Sequence, residues 1–471
     1  MDHKKINYFF NYKERFFTVQ KDYKLRLQKT DQGVRMIKEA KAFSVEKEDT
    51  PINHGERFTG RMTAGGVYNQ LSNIRQIVFE VTDACNLQCT YCSYGKFYGD
   101  YDQRENQYID IHKSKMLIDF VVERLHSSAN QSQHKTVVIS FYGGEPLLNM
   151  EFIRDVVEYT GAKADDRVGF TYSMTTNGVF LKKEADFLVR HDFRVLVSLD
   201  GSEANDGHRT FHNGKSSFQI VYENLIYVRD RYPDFFKKNI SFNAVLHNLN
   251  NESEVFHFFQ REFDKIPMFS DVNDMGVKQD MEEEFSHLIR QKERKSDEEL
   301  DTMMRRVLDL SSGENKNLQH FIFKYSGNVY RTYYDLLRKT DNMRYIPTAT
   351  CYPFSKKIFM TVTGKILPCE RIGHQFAMGK VTDSGVEIDC EDIAVVCNSY
   401  YDSLQKQCGS CYQAGHCIQC MYIIKNLENK PVCQGFSNKQ KFENYLQGEL
   451  NRLSLHPELY KRIMEEVVSI D

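Results

Sequence analysis

The chain has 471 residues, 41% of them hydrophobic and 27% charged, a formal net charge of −3 and 12 cysteines. That length calls for two or three domains with sizeable cores, and the scattered Lys and Arg give no support for nucleic acid as the main ligand. The N-terminus has no apolar signal-peptide core, and no run approaches the roughly 18 apolar residues of a membrane helix, so neither membrane nor export is expected. The expected location is the cytoplasm, where structural disulfides are rare, so cysteine in this number points to metal.

Residues 1–72 read as an N-terminal extension of short strands with polar interruptions and one helix near QGVRMIKEA. From 73 to 276 the chain alternates. Apolar, β-branched runs predict strands at 76–82, 136–142, 168–175, 194–199 and 240–246, with a weaker one at 267–272. Helical periodicity falls between them at 111–125, 152–159, 182–191, 218–228 and 253–263. Such alternation defines an α/β fold with a parallel sheet, either doubly wound or curved into a barrel. Residues 277–345 are charge-dense and read as a helical bridge whose charge runs are solvated faces. A cysteine-rich region at 346–436 follows, and then two C-terminal helices within 437–471, around 437–448 and 456–469.

The cysteines fall into two groups. Cys85, Cys89 and Cys92 form CNLQCTYC just after the first barrel strand; the other nine lie between 351 and 433. A structural zinc site takes four ligands, and no fourth Cys or His is near the first group. A four-iron cluster held by three thiolates leaves one iron open, and that vacancy is a place for a substrate or cofactor. Both metals remain open on spacing alone. Later strands end in polar or small residues at the same sheet edge: GGEP (143–146), TTNG (175–178) and SLDG (198–201). In parallel α/β sheets that edge binds ligands. Gly143 and Gly144 allow close backbone approach, and Glu145 can accept from an ammonium group.

With CxxxCxxC at Cys85, Cys89 and Cys92 and GGEP at 143–146, residues 76–275 resemble the radical S-adenosylmethionine (SAM) enzymes. The resemblance implies a partial (β/α)6 TIM-like barrel and a [4Fe–4S] cluster whose open iron chelates SAM. It also implies site roles. Tyr91 corresponds to the aromatic at the adenine, and Gly144, with its neighbours in GGEP, to the segment at the methionyl amino group. Ser198 and Arg209 resemble the pair at the ribose and carboxylate, and Asn177 is a further candidate. The bland reading of Arg209 is a surface arginine on a loop.

In the second group, CGSCYQAGHCIQC (408–420) carries repeated CxxC, a strong metal signal. Cys408, Cys411, Cys417 and Cys420 suffice for one zinc site, but Cys351, Cys369 and Cys433 are then left over. The whole pattern, including Gly364 before Cys369, resembles the SPASM extension of peptide-modifying radical SAM enzymes. That resemblance implies two auxiliary iron–sulfur clusters. Cys408, Cys411, Cys417 and Cys433 would hold one, and Cys351, Cys369 and Cys420 the other. Relatives carry a further cysteine where this chain has Tyr345, so the latter cluster is either open or completed by Cys390, Cys397 or a non-cysteine ligand. Cys390 and Cys397 otherwise read as buried thiols, and His374 and His416 as hydrogen-bonding or surface histidines.

The implied chemistry is one-electron cleavage of SAM to a 5′-deoxyadenosyl radical that abstracts hydrogen from a peptide or protein, with a flavodoxin or ferredoxin as reductant. Two enzyme classes compete: a maturase of ribosomally made peptides that installs thioether or carbon–carbon crosslinks, and an anaerobic sulfatase maturase. Sulfatase maturases place an aspartate base after the GxxxxC cysteine; here Glu370 stands there and is the candidate base. Residues 1–72 are expected to hold a leader peptide by strand pairing or to serve as a cap. The tyrosines of SYGKFYGDYDQRENQY (93–108) suit either a recognition loop or a cover for the barrel mouth. A non-catalytic metal or electron-transfer protein is the reading from another class.

Overall fold

The computed structural model describes residues 59–131, 136–274, 276–289, 346–414 and 417–455, with strands at 16–18, 23–30 and 33–40 and isolated positions at 318, 319, 321 and 459. Tyr345, His416, most of the expected helical bridge and the helix expected at 456–469 lie outside them.

The chain clusters into two compact units. One comprises Arg61–Glu293 and Thr350–Ser399; the other comprises Met1–Gly60, Arg294–Ala349 and Tyr400–Asp471. Residues 61–72 therefore group with the barrel rather than with the rest of the N-terminal extension, and region 346–436 is divided after 349 and again after 399.

In the second of these units, β1 (Phe16–Thr18), β2 (Tyr23–Thr30) and β3 (Gly33–Ala40) form a three-stranded antiparallel sheet. The helix expected near QGVRMIKEA is thus a strand. β3 pairs with β2 along its whole length, from Thr30 opposite Gly33 to Tyr23 opposite Ala40. The inter-strand ladder along the full length of both strands outweighs the modest helical preference of Met-Ile-Lys-Glu-Ala.

The barrel unit opens with α1 (Ala64–Leu71), whose N-cap Thr63 accepts from the Gly66 N–H. Six strands follow: β4 (Gln76–Glu80), β5 (Thr136–Tyr142), β6 (Gly169–Thr176), β7 (Arg194–Ser198), β8 (Ile240–Leu246) and β9 (Met268–Asp271). Between them run α2 (Ile111–His126), α3 (Met150–Lys163), α4 (Leu181–Arg190), α5 (Phe218–Arg231), α6 (Pro233–Asn239) and α7 (Glu252–Phe263). Each strand is parallel to the next and the order never reverses. A doubly wound sheet requires a reversal, so this is the singly wound partial barrel.

Side chains alternate across these strands, as the pleat dictates. On β8, Ile240, Phe242, Ala244 and Leu246 are buried, while Ser241 is exposed and Asn243 and Val245 are half-buried. Phe242 of that apolar set packs on Phe259 and Phe263 of α7 and on Phe236 of α6.

Beyond β4 the sheet continues. β10 (Ile358–Met360) runs parallel to β4, pairing Ile358 with Ile77, and β11 (Lys365–Leu367), β12 (Gly379–Thr382) and β13 (Gly385–Glu387) extend it antiparallel. The strand–TG–strand hairpin expected after Cys351 is therefore part of the barrel sheet. After Gln279–Met281, α8 (Glu282–Ser286) exposes its glutamates, as expected of a solvated face, and buries Phe285 against Phe97 and Tyr98. Two further helices follow, α9 (Cys390–Gly409) and α10 (Lys439–Leu455). No helix among the described residues is long and apolar enough to cross a membrane.

Candidate active site

The cysteine loop leaves the C-terminal end of β4 and is fastened from several sides. Asp83 accepts from the N–H groups of Glu105 at 2.8 Å and Gln107 at 2.6 Å. Gln88 N–H donates to Thr210 O at 2.7 Å, Thr90 N–H to His208 O at 3.1 Å, and His212 Nε2 meets Cys85 O at 2.8 Å. From β5, Gly144 and Glu145 N–H donate to Thr82 O and Ala84 O at 2.8 and 2.9 Å. Only glycine fits there. A Cβ on Gly143, at φ +133°, would lie 2.3 Å from Thr82 O, and one on Gly144 would lie 2.0 Å from Ala84 O. The expected close backbone approach at GGEP is thus to the start of the cysteine loop itself.

Glu145 differs from its expected role. It is fully buried; Oε1 accepts from Leu147 N–H at 3.0 Å and Thr176 Oγ1 at 2.6 Å, and Oε2 from Asn177 N–H at 2.7 Å. Burial pushes its carboxyl up, and those three donors oppose the shift. The carboxylate is taken up in joining the GGEP loop to the end of β6, so it is not an open acceptor for an ammonium. The N–H groups of Gly144 and Glu145 are engaged inside the chain, and the Glu145 carbonyl accepts from Leu148 N–H at 3.1 Å.

Asn177 reaches the cysteine loop from β6. Its Nδ2 donates to Asn86 Oδ1 at 2.7 Å and lies 3.8 Å from Cys85 Sγ. Asn86 Nδ2 is buried and without a partner. Ser198, half-buried at the end of β7, stands opposite Asn243 of β8.

Tyr91 and Arg209 join a buried network. Tyr91 Oη donates to Asp200 Oδ2, and Arg209 Nη1 donates to Tyr91 Oη at 3.0 Å. Arg209 Nε lies 3.8 Å from Asp206 Oδ1, and Asp206 Oδ1 accepts from Asp200 N–H at 2.9 Å. His247 stacks on the Tyr91 ring at 5.6 Å and sets Nε2 3.5 Å from Asp200 Oδ2. Burial works against the Arg209 cation, but Tyr91, Cys89, Asp200 and Asp206 outweigh it and hold the guanidinium charged. Arg209 is therefore a core cation beside Cys89, not a surface arginine. Its charge is already met by carboxylates of this chain. Phe285 and Leu288 close over Tyr91, Phe97 and Tyr98.

On the β10–β11 side, Lys357 Nζ lies 3.0 Å from both Glu370 oxygens, and Glu370 Oε2 lies 3.7 Å from Cys369 Sγ. Tyr142, ending β5, is pushed up by burial and then by the charges of Glu370, Cys92 and Tyr101. Tyr94 donates to Glu80 at 2.9 Å, Tyr98 donates to Asn273 O at 2.5 Å, and Tyr101 packs on His374 at 5.3 Å. Only Tyr108 of the tyrosines in that stretch is largely exposed, so most of them cover the barrel mouth.

Sequence patterns did not single out Glu80, Asp200, Asp206, His247, Arg104 or Lys357. For Asp200 a signal existed, since it is the acid of SLDG.

In the other unit, Cys408, Cys411, Cys417 and Cys433 line one cleft with Thr348, Ile418 and Phe436. Burial pushes the Cys408 thiol up to about 12, with Cys417, Cys411 and Cys433 adding to it. Among the described residues the fourth cysteine of this lining is Cys433, not the Cys420 of a local zinc set. Of the other cysteines, Cys351 is exposed, Cys369 half-buried and raised to about 11 by burial and Glu370, Cys390 half-buried and Cys397 buried; Cys420 is half-buried in the unit of the cleft.

Among the described residues, no three His, Cys, Asp or Glu side chains converge closely enough to hold a single metal ion. The fit of an iron–sulfur core rests on the donor set. Burial pushes the Cys89 thiol up to about 12 and raises that of Cys85. Thiols so placed become thiolates when a cationic core compensates them. Leu87 N–H at 3.4 Å and Asn177 Nδ2 at 3.8 Å already point at Cys85 Sγ.

The fold and the site together define an α/β protein: a singly wound parallel barrel with a thiol triad at its C-terminal mouth. The Radical SAM superfamily profile matches residues 79–260, so the chain carries a radical SAM domain there. That family implies SAM and a [4Fe–4S] cluster. The chain is 24% identical over 431 residues to the radical SAM cyclopropyl synthase TigE of Paramaledivibacter caminithermalis, covering 88% of this chain and 78% of that one. It is 25% identical over 244 residues to the GTP 3′,8-cyclase of Staphylococcus carnosus, covering 52% of this chain and 65% of that one. Among solved structures, native anSMEcpe with bound AdoMet and Cp18Cys peptide superposes with a TM-score of 0.54 at 16% identity, covering 83% of this chain and 99% of that one. At that identity the likeness shows the fold.

Proposed function

We propose that the chain is a radical SAM maturase of a peptide substrate, installing a thioether or carbon–carbon bond, with Cys85, Cys89 and Cys92 as ligands of the SAM cluster. The observation that carries this reading is the pairing of β10 with β4, which joins the β10–β11 hairpin leading to Cys369 and Glu370 to the barrel sheet. A radical SAM domain alone ends near residue 260 and lacks that second set of groups. The alignment with TigE over 88% of the chain supports it, as does the bound peptide in the anSMEcpe structure.

When bound, the SAM cluster supplies one-electron cleavage of SAM and abstraction of a hydrogen atom from the substrate. The chain's own residues do the rest. Asn177 and Asn86 hold the first cysteine, the buried Asp200–Tyr91–Arg209 network fixes the aromatic between Cys89 and Cys92, and Phe97, Phe285 and Leu288 exclude water behind it. Glu370, whose two oxygens each lie 3.0 Å from Lys357 Nζ, is the candidate base. An auxiliary cluster at Cys408, Cys411, Cys417 and Cys433 would accept the returning electron; a flavodoxin or ferredoxin would reduce the enzyme.

A sulfatase-maturase activity is the second reading, favoured by the match to 99% of anSMEcpe. Mass spectrometry after incubation with SAM, reductant and cysteine-containing peptides separates the two. Crosslinking removes hydrogen and keeps sulfur; formylglycine formation from cysteine removes sulfur. Loss of sulfur would overturn the maturase reading given first.

A further inference from the structure

Arg104 lies between β4 and α2, with Nη2 3.7 Å from Cys92 Sγ. Its guanidinium sits 4.4 Å over the Tyr94 ring, and Tyr94 is fixed in turn by donation to the buried Glu80. The backbone around it is held on both sides. Lys365 Nζ grips Asp102 at 2.7 Å, and Asp83 receives the N–H groups of Glu105 and Gln107. Arg104 Nε is buried and without a partner. Among the described residues no carboxylate pairs with this cation, so its charge is directed at sulfur and at an aromatic face.

We propose that Arg104 is a positioning residue that sets the potential of the cluster held by Cys85, Cys89 and Cys92, by donating a charged hydrogen bond to the Cys92 sulfur. The inference rests on the radical SAM reading of those cysteines. Reduction adds one electron, and hence negative charge, to the cluster and its thiolates. A guanidinium at one sulfur stabilises that state over the oxidised one, since hydrogen bonds to sulfur and net charge are what set such potentials. Stacking on Tyr94 keeps the fork aimed without a counter-carboxylate that would cancel its charge.

The test is an anaerobic redox titration of the reconstituted full chain, followed by electron paramagnetic resonance and reading the signal that SAM addition perturbs. Arg104→Met should shift the reduced-to-oxidised ratio at a fixed potential about tenfold toward oxidised, equivalent to about 59 mV for a one-electron couple. Arg104→Lys, which keeps a charge, should shift it less. A variant that titrates with the wild type at unchanged iron content overturns the proposal. Should Arg104→Met not retain iron, Arg104→Gln, which keeps a donor without charge, decides by the same criterion. A wild-type chain with no SAM-sensitive signal defeats the radical SAM reading itself. A SAM-sensitive signal that Arg104→Met leaves unmoved defeats only the role of Arg104.

Discussion

Glu145→Gln separates a brace from a ligand contact. The wild-type carboxylate serves Leu147 N–H and Thr176 Oγ1 on one oxygen and Asn177 N–H on the other. An amide supplies one oxygen only. Whichever way it turns, its NH2 faces a buried backbone N–H, either Asn177 or Leu147; Thr176 alone can adapt by reversing its hydroxyl. One stranded buried donor costs about 1–3 kcal/mol, offset in part by no longer burying a charge. Glu145→Ala leaves all three donors without an acceptor and should cost about 3–5 kcal/mol. Thermal unfolding of the reconstituted protein, with and without SAM, reads this. At about 2–4 °C per kcal/mol for a domain of 150–250 residues, both variants should melt lower without SAM, Ala more than Gln. SAM should still raise each melting point by ligand linkage. Unchanged melting without SAM, combined with loss of the SAM-dependent increment, would refute the brace and place Glu145 on the ligand.

Three other outcomes are expected. Tyr91→Phe keeps the ring on His247 but removes the hydroxyl between Asp200 and Arg209, and should lower stability by about 1–3 kcal/mol in denaturant titration, an unchanged midpoint counting against the network. Asp165 is held down to about 2 by the N–H groups of Arg167 and Val168 and by His126, so its contribution is present above about 3.8 and lost as pH falls toward about 2; Asp165→Asn should flatten that part of the acid-unfolding curve. Cys408→Ala should spare SAM cleavage in the absence of substrate while abolishing the modified peptide, checked by chromatography of both products.

Much of the barrel was legible because its signals are local. ISFNAVL predicts β8 residue for residue, and the apolar face of 111–125 predicts α2 within one residue. Other elements had weak local signals. In α1 two glycines dilute the helical preference, and the Thr63 cap was the remaining cue. For α6, Pro233 reads as a break after α5 rather than as the first residue of a new helix. In α9 the buried stripe of Ile393, Cys397, Tyr401 and Leu404 includes a cysteine and a tyrosine, which weakens its apolar period. The pairing of β10 with β4 joins segments far apart in the chain, which no local period records.

The site divides in the same way. The thiol triad is a contiguous pattern, and Asn177 follows from its place at a strand end. Glu145 reads equally as ligand contact or brace until the neighbouring N–H groups are located. Arg209 reads as a loop residue until Tyr91, Asp200 and Asp206 are seen to surround it.

The central claim is that Cys85, Cys89 and Cys92 hold a cluster that cleaves SAM. Its most direct test is 5′-deoxyadenosine formation by the reduced, anaerobically reconstituted full chain, with iron and sulfide measured on the same sample. The wild type should release 5′-deoxyadenosine with methionine, and Cys89→Ala should release none. A chain that binds zinc in place of iron and forms no 5′-deoxyadenosine, or a Cys89→Ala variant that still forms it, would contradict the account.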